Sequence, residues 1–174
     1  MAGLVVAVAL WAGWRIFRFE VGAPIADLDD LAWATSTRVL ARDGRLLGER
    51  PSEAGLRGRA TRLDDVGERL IAATLASEDR HFFDHDGVDR SAFARVAWTL
   101  LLHRHMISGG STISQQLVKL MEHRGKPWPR TVANKLREIA RAQNLEAEVD
   151  KRTILEAYFN RLDYGRGLAG PEAA

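Results

Sequence analysis

The chain has 174 residues, which suits one ordinary domain with an appendage. Its share of 46% hydrophobic and 28% charged residues is typical of a globular protein and excludes a disordered one. The 25 basic and 23 acidic residues are interspersed, so the net charge of +2 does not favour a nucleic-acid partner, and the absence of cysteine excludes disulfides and thiolate chemistry.

The N-terminus predicts a single-span membrane anchor over residues 1–19. Residues 1–14 carry no charged side chain, and as a helix they would reach ~21 Å, short of the ~30 Å of a hydrocarbon core. Snorkelling by Arg15 and Arg18 would nearly close that gap. A signal peptide is the alternative, although its basic start and small-residue cleavage site are missing. Because the basic residues follow the span, the positive-inside rule places the downstream domain in the cytoplasm, unless a basic flank precedes residue 1.

Residues 20–62 are predicted to be a connector, and residues 63–174 the main domain. Within the connector, two short apolar runs flank Asp43 and Gly44. An Asp-Gly pair supplies the positive φ angles of a tight turn, so we expect a β-hairpin near 37–48. Residues 51–62 are rich in Gly and Arg and are predicted to form a loop.

From Leu63 onward the hydrophobic pattern has the helical period. It predicts helices near 64–79, 91–106, 112–123, 131–147 and 151–161. Residues that favour the N-cap position stand at the start of the last four, namely Ser91, Ser111, Thr131 and Asp150.

One carboxylate stands out at the end of the first of these helices. Ile71, Leu75 and Glu78 follow helical spacing, together with Thr74, so Glu78 is expected on a stripe that packs inward. A buried charge costs free energy unless it is paired or used in chemistry, and such carboxylates often serve as acids or bases. The alternative is that Glu78 is the solvated last turn of an ordinary helix.

A second feature is the run GGSTISQQLVK at 109–119. Two glycines before a capped helix leave unpaired N–H groups at its positive end, which suits a phosphate. Thr112, Gln116 and Lys119 would form a polar face beside the apolar face that contains Ile113 and Leu117. The alternative is a well-formed helix start with no ligand.

Two further segments are ambiguous by themselves. Lys135, Glu138 and Arg141 follow helical spacing, which is also typical of ordinary surface ion pairs. The basic loop 124–130 contains a Trp and is either a solvated connection or a contact with anionic lipid.

Sharper motifs are absent. His81 and His85 lack the Glu of a zinc-protease helix and an obvious third ligand. The segment 84–89 places its Gly too early for an EF-hand loop and has no closing Glu. Zinc and calcium sites of these types are therefore rejected.

The order of the motifs resembles that of the peptidoglycan glycosyltransferases, glycosyltransferase family 51. The run EDRHFFDHDGVD at 78–89 resembles their first motif, and 109–119 their second. Lys135 to Glu138 stand at the third, and ILEAYFN at 154–160 is similar to the fourth. The likeness covers about 37–174 and is strongest to the 1C branch of class A penicillin-binding proteins or to a single-domain transglycosylase.

The resemblance implies a mainly α fold, a lysozyme-like helical head truncated at its C-terminus, with the hairpin and anchor in front. It implies polymerisation of lipid II, with Glu78 as the general base and Glu138 as the second catalytic acid. The residues implied to bind substrate are Asp79, Phe82, His85, Ser111, Thr112, Gln116, Lys119 and Lys135.

The resemblance also implies partners and a location. Lipid II, the growing glycan strand, membrane lipids and other cell-wall synthesis proteins are the expected partners, on the periplasmic or extracellular side of the bacterial plasma membrane. No cofactor is certain, although the family commonly uses a divalent cation such as Mg²⁺ or Mn²⁺. A lysozyme-like glycan hydrolase and a non-catalytic, membrane-anchored assembly module remain as alternatives.

The chain departs from the family pattern at three places. Asn134 replaces the usual Arg of the third motif, so Arg137 or Arg141 is expected to take over its phosphate contact. Leu120 stands where many members have Asn, and the sequence stops at Ala174, where the family continues.

Overall fold

The computed structural model describes residues 2–23, 28, 35–91, 110–123, 129 and 131–172. The fold of these residues is mainly α, as predicted. The helices are α1 (Ala2–Val21), α2 (Glu68–Glu78), α3 (Ile113–His123), α4 (Val132–Glu148) and α5 (Lys151–Phe159). The strands are β1 (Thr37–Leu40), β2 (Leu46–Arg50), β3 (Arg57–Gly58) and β4 (Leu168–Ala169). The helix predicted over 91–106 and the basic loop 124–130 lie outside the described residues, apart from Ser91 and Pro129.

The predicted helices that fall on described residues are present, with small shifts of their ends. α2 begins at Glu68 and not near 64, because Leu63–Asp65 forms a separate 3₁₀ turn. Two predicted caps are confirmed by their hydrogen bonds. Thr131 accepts from the N–H of Asn134, and Asp150 accepts from the N–H groups of Arg152 and Thr153.

The C-terminal half of helix α1 lies against α4. The indole N–H of Trp14 donates to Gln143 Oε1 over 3.1 Å, and Arg18 Nε donates to Asn144 Oδ1 over 2.8 Å. In the described part of the chain, no helix combines the length and the apolar character that crossing a membrane requires. The single-span anchor predicted over residues 1–19 is therefore not supported by the described helices.

The predicted hairpin is confirmed. β1 and β2 pair antiparallel, with Val39 opposite Gly48. Gly44 has a φ of 83°, which is the conformation that the Asp-Gly turn was expected to need. The prediction of a loop over 51–62 is wrong in one place, since β3 lies there and pairs parallel with β4 at the other end of the domain. That pairing is non-local, so no local pattern indicates it.

The hydrophobic core forms where α3 packs against α4 and α5. Ile113 and Leu117 of α3 are fully buried, which confirms the predicted apolar face of that helix. Leu145 of α4 and Phe159 of α5 are fully buried too. α3 is therefore fixed on one side by the core, and its other side faces the end of α2.

Candidate active site

Glu78 is the last residue of α2, and its side chain is exposed. Ile71 and Leu75 of the predicted stripe are partly buried and pack against the core, whereas Glu78 at the end of the stripe is exposed, which is the alternative that the sequence left open. Glu78 consequently lies at an open edge, accessible to a substrate.

Asp79 joins the end of α2 to the start of α3. Its side chain is 2% exposed. Oδ2 accepts a hydrogen bond from the N–H of Ile113 over 3.0 Å and lies 3.0 Å from His85 Nε2. A carboxylate is favourable at the positive end of a helix. Asp79 therefore fills the helix end that the sequence suggested as a phosphate site.

Gln116 connects Glu78 to the core. Its Nε2 donates to Glu78 Oε2 over 2.9 Å, and its Oε1 accepts from the hydroxyl of Tyr158 over 3.1 Å. Tyr158 is 2% exposed. Burial, followed by the nearby charge of Glu78, raises the pKa of the Tyr158 hydroxyl. The hydroxyl therefore stays protonated at neutral pH and remains a hydrogen-bond donor.

The start of α3 is fixed by a second set of contacts. The hydroxyl of Thr112 donates to the carbonyl of Gly87 over 2.8 Å, and the amide of Gln115 donates to the same carbonyl over 3.1 Å. Thr112 Oγ1 also accepts from the N–H of Gln115. The predicted N-cap at Ser111 is therefore wrong by one residue, because Thr112 has the cap hydrogen bond and Ser111 accepts from Lys135 instead.

Glu138 and Lys135 form a close ion pair on α4, with Lys135 Nζ 2.5 Å from Glu138 Oε1. The same ammonium donates over 2.8 Å to Ser111 Oγ and over 2.8 Å to Gln115 Oε1. A lysine ammonium has three donors, and all three are used here. Lys135 is therefore part of the protein's own network, and the start of α3 lies between the two predicted catalytic carboxylates.

The other positively charged side chains near the site differ in how available they are to contact a phosphate. Lys119 is exposed on α3, whereas Arg141 pairs with Glu122. Asn134, at the position of the missing arginine, accepts from Arg137 and donates to the carbonyl of Pro129. Because Arg141 is already paired with Glu122, Arg137 is the more available residue to replace the phosphate contact of the missing arginine.

Two residues that the sequence analysis missed complete the interior of the site. Glu146, 3% exposed, accepts from the Ser114 hydroxyl and lies 2.6 Å from Lys151 Nζ and 3.7 Å from His85 Nδ1. Lys151 also donates to the carbonyl of His85 over 2.6 Å and lies 4.5 Å from the centre of the Phe82 ring. One sequence signal could have found them, because each charge is unfavourable relative to its helix dipole. The anion Glu146 is in the last turn of α4, and the cation Lys151 begins α5.

The predicted site residues thus divide into two groups. The buried group consists of Phe82, which is fully buried, and of Asp79, Thr112, Glu138 and His85, which are nearly so. These side chains contact other parts of the protein and position the elements around the site. Their contact with substrate remains a prediction. The more accessible group consists of Glu78, Ser111, Gln116, Lys119 and Lys135.

A pocket of about 230 Å³ lies beside Glu78, between the end of α2 and the start of α3. Its lining includes Glu78, Arg80, His81, Asp89 and Ser111. Within the described ranges, no group of three or more His, Asp or Glu side chains is arranged to hold a metal ion. The divalent ion implied by the resemblance stays a prediction.

Comparison with known proteins identifies the family of the chain. The family described as transglycosylase matches residues 43–174, which contain every site residue described above. The chain belongs to the transglycosylase family. The family resemblance predicted from the motifs is thereby confirmed.

Three relatives illustrate the range of proteins that this transglycosylase chain is similar to. Penicillin-binding protein 1C of Escherichia coli K12 is 38% identical over 78% of the chain and 17% of its own length. A biosynthetic peptidoglycan transglycosylase of Chromobacterium violaceum is 40% identical over 70% of the chain and 52% of its own length. Another, of Ralstonia nicotianae, is 34% identical over 94% of the chain and 73% of its own length. The chain thus spans a small part of the first relative and about half of the second.

Proposed function

We propose that this transglycosylase chain polymerises lipid II into glycan strands and releases undecaprenyl pyrophosphate. The family membership and the relatives named biosynthetic peptidoglycan transglycosylase support this reaction. The observation that carries the proposal is the hydrogen bond from Gln116 to Glu78 at the edge of the pocket. It joins the first and second motifs at one exposed carboxylate.

Glu78 is the proposed general base. It removes the proton from the 4-hydroxyl of the acceptor sugar while that oxygen attacks the anomeric carbon of the donor. The bond from the anomeric carbon to the pyrophosphate oxygen breaks, and the configuration inverts. Gln116 occupies Oε2 of Glu78, so Oε1 is the atom that receives the proton. A general base must lie within hydrogen-bond reach of the proton, and an exposed side chain allows this.

The pyrophosphate leaves with growing negative charge, which donors and cations stabilise. Lys119 supplies an exposed ammonium on the same helix as Gln116. Glu138 is the proposed second acidic residue at the pyrophosphate end, where its ion pair with Lys135 holds it beside Ser111. Glu78 thereby acts on the attacking hydroxyl, and Glu138 acts at the leaving pyrophosphate.

Lipid II and glycan strands are the partners that this reaction requires. Both occur in the bacterial cell envelope, so we place the chain there, with its cleft on the outer side of the plasma membrane. The names of the relatives, a penicillin-binding protein and peptidoglycan transglycosylases, support an envelope location.

Incubation of the detergent-solubilised protein with labelled lipid II tests the proposal. We expect a ladder of glycan polymers with stoichiometric release of undecaprenyl pyrophosphate. Cleavage of soluble glycan without lipid release would identify a hydrolase instead. Binding of lipid II without any product would identify a non-catalytic assembly module, and either outcome contradicts the proposal.

A further inference from the structure

Tyr158 reaches the proposed base through one intervening side chain. Its hydroxyl donates to Gln116 Oε1 over 3.1 Å, and Gln116 Nε2 donates to Glu78 Oε2 over 2.9 Å. Tyr158 lies on α5, Gln116 on α3 and Glu78 at the end of α2. Three helices that are far apart in sequence therefore meet along one line of hydrogen bonds.

The two hydrogen bonds select one orientation of the Gln116 amide. A glutamine side chain presents either its NH₂ or its oxygen to a given neighbour, and the two ends are similar in shape. The Tyr158 hydroxyl donates to the amide oxygen, and the carboxylate of Glu78, which has only acceptors, takes the NH₂ end. The NH₂ end faces Glu78 and donates to its Oε2, which holds the carboxylate in one position.

We propose that Tyr158 is a positioning residue for the transfer, acting on Glu78 only through Gln116. This inference rests on the proposed function. Without the hydroxyl, the Gln116 oxygen loses its buried partner, and the side chain is free to leave the position from which its NH₂ reaches Glu78. In a fraction of the molecules the Glu78 carboxylate then lacks the donor that holds it in place.

The backbone of Glu78 is held independently of this relay. The next residue, Asp79, is fixed by the N–H of Ile113 and by His85. Loss of the Tyr158 hydroxyl should therefore leave the helices and the substrate cleft in place, because the aromatic ring still fills the core. The defect is confined to the placement of one side chain, which predicts a fall in kcat and not in substrate affinity.

Kinetics of Tyr158→Phe with labelled lipid II test the proposal, and Tyr164→Phe is the matched control. Tyr164 also has a partly buried ring, but its hydroxyl is buried without a hydrogen-bond partner among the described residues. We expect Tyr158→Phe to lower kcat about tenfold, the scale of one hydrogen bond to a charged network, with KM within about twofold. Tyr164→Phe should leave both constants unchanged. An unchanged kcat in Tyr158→Phe, or an equal loss in the control, would overturn the inference.

A double variant separates positioning from a general structural defect. Because the relay passes through Gln116, Tyr158→Phe should cost nothing further in a Gln116→Leu background, which itself should lose at least about tenfold in kcat. A second tenfold loss in that background would show that Tyr158 acts by another route. Full activity of Gln116→Leu would also refute the relay, even if Tyr158→Phe failed to fold. Wild-type protein that forms no polymer would contradict the proposed function, which is a different result.

Discussion

The carboxylate of Asp79 accepts a hydrogen bond from the N–H of Ile113, 34 positions further along the chain. This one contact caps α3 with the residue that follows the proposed base. Gln116, the hydrogen-bond partner of Glu78, lies less than one turn after Ile113. The contact of Asp79 with Ile113 therefore also sets the distance between Gln116 and Glu78. The first two motifs therefore behave as one structural unit.

Asp79→Asn should destabilise the protein by about 1–3 kcal/mol, the range for a buried group that loses a partner. An amide keeps one oxygen but directs an NH₂ group at the N–H of Ile113 or at His85, both of which are held by oxygen in the native structure. Urea denaturation measures the effect. Asp84→Asn, an exposed change five residues away, is the control and should be neutral. Equal stability of the two variants would contradict the role assigned to Asp79.

Gly87→Ala should be more damaging than Gly44→Ala. Both glycines have a positive φ, +82° and +83°, so each substitution carries backbone strain of about 1–3 kcal/mol. A Cβ at Gly87 would also lie 2.7 Å from the backbone nitrogen of Gln143, whereas the space around Gly44 is open. The difference between the two denaturation midpoints isolates the clash. Identical midpoints would show that the segment around Gly87 moves away from α4 at little cost.

Lys151→Met should cost about 3 kcal/mol of stability, the lower end of the range for a broken buried ion pair. The substitution leaves the Glu146 carboxylate, 3% exposed, without its cation. Arg152→Met is the matched control, because its pair with Asp64 has side chains that are 67% and 63% exposed. Such pairs contribute about 0–1 kcal/mol. If guanidinium denaturation found the two losses equal, the interior network around Glu146 would contribute little.

Asp150 gives α5 a pH-dependent cap. Hydrogen bonds from the hydroxyl and the N–H of Thr153 lower the pKa of the Asp150 carboxyl in the folded state. Its stabilisation is therefore complete above the ordinary aspartate pKa of about 3.9 and is lost as the pH falls through the lower folded value. Asp150→Ala should cost about 1 kcal/mol at pH 7 and progressively less in acid.

Asp150→Asn is the control for that prediction. An asparagine retains the acceptor oxygen of the cap but, like alanine, does not titrate. The stability difference between Asp150→Asn and Asp150→Ala should therefore not change with pH, whereas the difference of each variant from the wild type should shrink in acid. Thermal unfolding at pH 7 and pH 3 compares the two variants. A cost of Asp150→Ala that is the same at both pH values would contradict the role of the charge.

Local features were predicted from the sequence more successfully than contacts between elements. The Asp43–Gly44 turn and the caps at Thr131 and Asp150 depend on neighbouring residues, and they are present as predicted. The sequence left open whether Glu78 is buried or solvated, because helical spacing gives the face of a residue but not how far the neighbouring helix extends along that face. The partnership of Glu146 with Lys151 depends on how α4 and α5 meet, and only their placement against the helix dipoles hinted at it.

The activity of Glu78→Gln tests the central claim most directly. Glutamine keeps the size of the side chain but cannot accept the proton, so polymerisation of labelled lipid II should fall by about 10²–10⁴-fold, the range for a general base. Glu68→Gln, an exposed change at the other end of α2, should retain wild-type activity. A Glu78→Gln protein that is folded and polymerises lipid II at the wild-type rate would contradict the assignment of Glu78 as the base.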